Sequence, residues 1–309
     1  MPVLEVQGLR KAFGPVVAVD GISFAVERGE VFTVIGPNGA GKTTTLEMIE
    51  GILPPDEGTI VIDGLSWDRD ADKIKSRIGV QPQTGAMFDL LTVQENLELF
   101  ASFYPKSEDL KKVLEMINLQ DHRHKRVKSL SGGQRQRLAI GLAMINDPDI
   151  IFLDEPTTGL DPQARRNIWD IVLSLKAMGK TTILTTHYME EAEKLSDRVC
   201  IVDQGRVVTL DTPAALIGKL TKERQVQLSF LDGEGAARET QKALENMPAV
   251  ARMERDGASL TLWSAQPEEA LYHLFGFTRE RGYRIDQVTI RELSLEDVFI
   301  AYTGKEWRD

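Results

Sequence analysis

Residues 31–51 read VFTVIGPNGAGKTTTLEMIEG, and their order decides the fold. VFTVI is an unbroken apolar run, as expected of a strand buried on both faces. TTTLEMIEG has a helical pattern closed by Gly51 and Pro54. Between them, Gly36, Pro37, Asn38, Gly39, Ala40 and Gly41 form a loop whose glycines let successive N–H groups converge on anionic oxygens. Lys42 can then reach terminal phosphates, the Thr43 hydroxyl can ligate Mg2+, and Thr44 continues the first turn. A strand, a glycine-rich loop and a helix are the context a phosphate-binding loop requires.

Working outward, LEVQGL and VAVDGISFAV alternate as half-buried antiparallel strands do, DGLSWDRD reads as a loop and IGVQPQ as a short strand. Residues 85–146 read as a mainly helical insertion: Thr92 and Glu95 form a capping-box pattern ahead of NLELFASFY, and EDLKKVLEMINL follows. DIIFLDEP at 149–156 and TTILTTH at 181–187 are buried-strand runs separated by the helical RRNIWDIVLSLKAMG. Alternating strand and helix predicts a largely parallel α/β sheet over residues 1–218. Residues 219–309 predict a small α+β domain, with RQVQLSFL, ASLTLWS and YRIDQVTI as strands and AARETQKALENM and PEEALYHLFGFTRERG as helices. Its last element, SLEDVFIAYTG, places Leu295, Val298, Phe299 and Tyr302 at helix-face spacing behind Ser294 and Asp297.

Composition bounds the partners. A chain of 309 residues suits about two domains. The formal charge of −10 argues against a surface built to hold nucleic acid, and the one dense basic run, HRHKRVK at 122–128, has no aromatic residues to stack bases. No run of 18 apolar residues occurs and MPVLEVQGLRKAFG has no apolar signal core, so a cytosolic location is expected unless a partner supplies the membrane. The single cysteine, Cys200, lies in the apolar RVCIV as a buried strand residue, and with only four histidines a structural zinc site is not expected.

A second phosphate cradle stands at 130–137, LSGGQRQR. Ser131 can cap the helix while Gln134 reaches back, which leaves the N–H groups of Gly132 and Gly133 and the positive helix end facing outward. With no lysine beside it, this is half a site. Asp154 and Glu155 end the DIIFLDEP run; strand alternation sends them different ways, Asp154 toward a metal and Glu155 toward attacking water. His187 closes TTILTTH, and Gln83 lies in the turn VQPQTG.

Taken together these residues resemble the ATP-binding subunits of ABC transporters, over residues 3 to about 215. GPNGAGKT is similar to the Walker A loop, Gln83 to the Q-loop glutamine, LSGGQ to the family signature and IIFLDE to the Walker B strand with its catalytic glutamate. GLD, ending at Asp161, is similar to the D-loop, His187 to the switch histidine and Phe13 to the aromatic residue that stacks on adenine. The resemblance implies a P-loop core with an antiparallel β subdomain and a helical subdomain. It also implies ATP and Mg2+, the latter held by Thr43, Gln83 and Asp154. Two subunits would pack head to tail, so that Ser131, Gly132, Gly133 and Gln134 of one grip the ATP on the Walker A loop of the other. The implied partners are a second copy and an integral membrane permease on a separate chain, at the cytoplasmic face of the membrane.

Soluble relatives also act on ribosomes, on chromosomes and in DNA repair; those that act on ribosomes carry two cassettes in one chain and those that act on chromosomes are split around heptad arms, so one P-loop and no heptad run favour the transporter subunit. SLEDVFIAYTG and LLTVQENLELFASFY are similar to the daunorubicin-resistance and multidrug exporter type. Met87, Phe88 and Leu90 either dock a membrane partner or fill the base of the helical insertion, and SLEDVFIAYTG either packs on its own domain or is the alternative docking surface.

Overall fold

The computed structural model describes residues 2–84, 87–220, 223–245 and 247–304. Gly85 and Ala86, inside the docking loop expected between Gln83 and Leu91, lie outside the described residues. The chain divides into two compact units at Pro213/Ala214, the second ending at Ala301.

The first unit opens with β1 (Pro2–Phe13) and β2 (Val16–Glu27), a hairpin of the alternating segments. Next come β3 (Val31–Ile35), α1 (Lys42–Ile49), β4 (Glu57–Ile62), β5 (Leu65–Ser66), α2 (Trp67–Lys75) and β6 (Ile78–Gln81). Strand order β2-β1-β4-β5 makes an antiparallel sheet. Of the expected loop DGLSWDRD, Asp63 and Gly64 form the turn between β4 and β5, both at positive φ, and the rest is β5 and the start of α2. Asp68 and Asp70 sit in the first helical turn, where they favour the positive helix end, and Trp67 Nε1 donates to Ile49 O at 2.9 Å.

The helical segment contains α3 (Val93–Ala101), α4 (Leu110–Met116) and α5 (Gly132–Ala143). The Thr92/Glu95 capping box at α3 is formed in both directions. Then follow β7 (Ile150–Asp154), α6 (Pro162–Ala177), β8 (Thr181–Thr186), α7 (Met189–Leu195), β9 (Arg198–Asp203) and β10 (Arg206–Asp211), after which α8 (Pro213–Gly218) leads into the second unit. The second sheet has order β10-β9-β3-β8-β7-β6 and is parallel except at the β9/β10 pair.

Both faces of this parallel sheet are covered, which accounts for its unbroken apolar runs. Phe32, Val34, Ile150, Phe152 and Ile183 join the antiparallel sheet and α1 in one core. Val31, Ile151, Leu153 and Leu184 join α3 to α6 in another. Cys200 is buried in β9, and burial pushes its thiol up to about 12. The strand ends bear on function: β3 runs into the phosphate loop, β8 into His187, β7 into Glu155 and β6 toward Gln83, all at one sheet edge in adjacent order.

The second unit contains β11 (Arg224–Phe230), α9 (Glu234–Leu244), β12 (Arg252–Asp256), β13 (Ser259–Ser264), α10 (Pro267–Arg281) and β14 (Ile285–Arg291). Their βαββαβ sequence and sheet order β12-β13-β11-β14 are those of a ferredoxin-like fold. Val226, Leu228, Phe230, Leu260 and Leu262 pack with Ala237, Leu244 and Leu274. Strand β12, RMERD, is not in the sequence reading: it is an edge strand whose alternate residues are all solvated, so it has no apolar signal. In α11 (Leu295–Thr303) Leu295, Val298 and Phe299 are buried, whereas Tyr302 is 47% exposed, so the expected face is one residue shorter. Asp297 Oδ2 accepts the Ser294 N–H at 2.9 Å, so it is Asp297 that reaches back to the helix start.

Candidate functional site

The loop after β3 closes onto α1 through Gly41, which holds φ +98 and would place a Cβ 2.4 Å from Ala18 O. No side chain caps α1 at Gly41, so the first N–H groups of the helix have no side-chain acceptor there. A cleft of about 360 Å³ is lined by Phe13, Ala18, Asn38, Gly39, Gly41, Lys42, Thr43, Thr44, Gln83 and Glu155. All but Ala18 are in the sequence reading. Ala18 belongs to β2, and only the hairpin brings it to the loop. Phe13 is 51% exposed at the rim.

Lys42 and Glu155 of the cleft lining converge with His187, which does not line it. Lys42 is buried and its Nζ donates to Gly36 O at 2.9 Å and Pro37 O at 3.2 Å. The same Nζ lies 3.3 Å from Glu155 Oε1, while His187 Nδ1 lies 3.2 Å from Glu155 Oε2. Strand alternation alone does not aim Glu155. β7 ends at Asp154 and Glu155 turns into the left-handed region at φ +46, its N–H donating to the Thr185 hydroxyl at 3.0 Å. Such a φ is uncommon and strained for a glutamate.

Asp154 is buried beside Thr43, whose hydroxyl donates to Oδ1 at 3.3 Å, and Thr185 donates to the same oxygen. Burial pushes the Asp154 carboxyl up, and these two hydroxyls pull it back. A hydroxyl and a carboxylate side by side are hard oxygen donors, the set that Mg2+ takes, so the residues present fit that ion.

The capping box expected at Ser131 and Gln134 is formed. Ser131 Oγ accepts the Gln134 N–H at 3.3 Å and Gln134 Oε1 accepts the Ser131 N–H at 3.0 Å, a complete capping box on α5. Gly133 has to be glycine, because a Cβ there would lie 2.8 Å from Ala164 Cβ on α6. None of Ser131, Gly132, Gly133 and Gln134 lines the cleft of Lys42. Asp161 does not line it either: its Oδ1 accepts the N–H groups of Gln163 and Ala164 at 3.0 and 2.9 Å, capping α6. Met87 is partly buried against the α3 to α6 core, whereas Phe88 and Leu90 are 52% and 69% exposed. The apolar trio is thus divided between the two readings.

Residues 19–158 match the ABC transporter family. The chain is 41% identical to the Nod factor export ATP-binding protein I of Ralstonia nicotianae, over all of this chain and 96% of that one. It is 39% identical to the protein of the same name in Burkholderia lata, over the whole of both. The dimeric structure of a post-hydrolysis state of the ATP-binding cassette MJ0796, bound to ADP and Pi, superposes with a TM-score of 0.61. That match has 28% identity and covers 68% of this chain and 98% of the cassette. No helix among the described residues is long and apolar enough to cross a membrane.

Proposed function

The chain belongs to the ABC transporter family, as the ATP-hydrolysing subunit of an exporter that dimerises and works with a membrane partner, and we propose that its hydrolysis runs through Glu155. The observation that carries this reading is the position of Glu155 between Lys42 and His187, at 3.3 and 3.2 Å, on the rim of the phosphate loop. A carboxylate there can accept a proton from water as the water attacks the γ-phosphate in line. Lys42 and His187 then stand where negative charge builds on the phosphoryl oxygens. Thr43 and Asp154, with Gln83 at the cleft wall, would hold Mg2+, which offsets phosphate charge when bound. Phe13 offers its exposed ring to the adenine.

The half-site at Ser131, Gly132, Gly133 and Gln134 completes the active site of a second copy. ATP then lies between two chains and its hydrolysis separates them. Phe88 and Leu90 take the membrane partner at the cytoplasmic face. Buried Asn96 holds their loop, accepting the Phe88 N–H at 3.0 Å, and Asp89 pairs with Arg135 of α5 at 3.1 Å. Displacement of the loop is therefore felt at the signature helix. The relatives are named for export of Nod factor; on our reading this chain supplies the power stroke and the membrane partner selects the cargo.

The test is Glu155→Gln. ATP binding should persist while phosphate release falls by about 10² to 10⁴, the usual worth of a positioned base, and an ATP-bound dimer should accumulate. Unchanged steady-state phosphate release would remove Glu155 from this role.

A further inference from the structure

Glu191 of α7 is fully buried, and a buried carboxylate is costly unless donors surround it. Oε1 accepts the Trp169 Nε1–H at 2.9 Å and Oε2 accepts the Thr157 hydroxyl at 3.1 Å. The Thr186 hydroxyl is a third neighbour that lowers the Glu191 carboxyl, and its oxygen accepts the Tyr188 backbone N–H at 2.9 Å. These three neighbours come from three segments. Thr157 is two residues beyond Glu155, Trp169 is on α6, and Thr186 is the residue before His187. Burial raises the Glu191 carboxyl, while these neighbours and the nearby charge of Arg165 lower it.

A second line of contacts runs over the same ground. The Arg165 guanidinium lies 4.0 Å from the centroid of the Tyr188 ring, the Tyr188 and His187 rings are 4.2 Å apart, and His187 Nδ1 faces Glu155. Glu191 therefore ties the turn that carries His187 to the loop that carries Glu155, with α6 as the common support. A carboxylate that only anchored α7 would have no reason to take its neighbours from beside both of these residues.

We propose that Glu191 is a positioning residue for ATP hydrolysis, holding the His187 ring in register with Glu155. The inference rests on the roles given above to Glu155 and His187. A displacement of about 1 Å in a reacting group costs roughly 10²-fold in rate, so loosening this tie acts on turnover rather than on nucleotide capture.

Glu191→Gln keeps the shape and weakens the tie. The expected result is kcat lower by about ten- to hundredfold, with KM for ATP within twofold. The protein has four histidines, so the His187 ring signals are assignable in an NMR spectrum by their loss in His187→Ala. They should shift in Glu191→Gln while those of His122, His124 and His273 stay in place. An unchanged kcat overturns the proposal. So does a fall in kcat and melting temperature with a rise in KM and unshifted His187 signals, since Glu191 would then serve only to hold the fold. If the Gln variant does not fold, Thr186→Val cuts the link between Glu191 and the Tyr188 N–H and carries the same three readouts. Glu155→Gln, run in parallel, separates the two readings: full turnover there sinks the role of Glu155, whereas loss there with normal turnover in Glu191→Gln sinks only this inference.

Discussion

Lys42 Nζ lies 3.3 Å from Glu155 Oε1, and both side chains are almost wholly withdrawn from solvent. One element supplies the cation and a different strand end supplies the anion, so the pair joins the phosphate loop to the end of β7. Each partner keeps contacts of its own when the other is removed, Lys42 with Gly36 O and Pro37 O and Glu155 with the Thr158 hydroxyl at 3.0 Å, so the two losses should differ in kind.

Lys42→Ala should weaken ATP binding by about 10- to 100-fold, the worth of one charge-assisted hydrogen bond of roughly 1.5 to 3 kcal/mol. Titration with a fluorescent ATP analogue measures it. Equal affinity of the Lys42→Ala and unsubstituted proteins would show that the lysine does not meet phosphate.

Ser131→Arg should leave nucleotide binding by the single subunit intact and abolish ATP-dependent dimerisation, because a long cation would fill the place intended for the partner's γ-phosphate. Light scattering with ATP in a Glu155→Gln background reads the outcome directly. A dimer that survives the change would mean that the signature does not face a partner nucleotide.

Phe88→Ser with Leu90→Ser should uncouple the membrane partner, since each fully covered side chain is worth about 1.5 to 3 kcal/mol. Both side chains are already largely solvated, so the melting temperature should move by no more than a degree or two. Met87 is left alone because it packs against the α3 to α6 core. Copurification with the membrane subunit at full yield would place the docking surface elsewhere.

Glu50 gives a pH dependence. Burial, with Asp154 and Glu47 adding to it, pushes this carboxyl from 4.5 to about 8, and Oε1 has no hydrogen-bond partner among the described residues. A raised folded value means that the native state binds a proton the unfolded state has released. Its contribution to stability is therefore full below about pH 4.5 and is lost as pH rises to about 8. Glu50→Gln should flatten the fall in melting temperature between pH 5 and 8, measured without nucleotide or divalent ions. Parallel curves for the two proteins would refute the assignment.

What the sequence revealed follows from where each signal arises. The phosphate loop, the capping box at Ser131 and the run ending in Asp154 are local patterns, and the fold places them with little change. Ala18 was invisible because its contribution is a backbone position set by a hairpin, not a side chain. The helical role of Trp67 is hidden by Ser66, Asp68 and Asp70, residue types that suit a turn and a helix start equally well. The conformation of Glu155 could not be read either, since left-handed backbone in a glutamate leaves no compositional mark. For Asp161 the cap on α6 is what local geometry displays; any meeting with a nucleotide depends on a second chain.

On the function proposed above, the capping box on α5 fixes how recognition at that end can change over time. Ser131 and Gln134 satisfy each other's backbone amides, while helix geometry leaves the amides of Gly132 and Gly133 without an acceptor in their own helix. Those donors are main-chain atoms of residues that have no side chain. Mutational drift can distort the path of the chain or block the approach, but no substitution other than proline deletes a main-chain N–H. The half-site therefore has a narrow repertoire: it can be lost through a bulky neighbour or a shifted helix, but it cannot easily be retuned toward a different ligand.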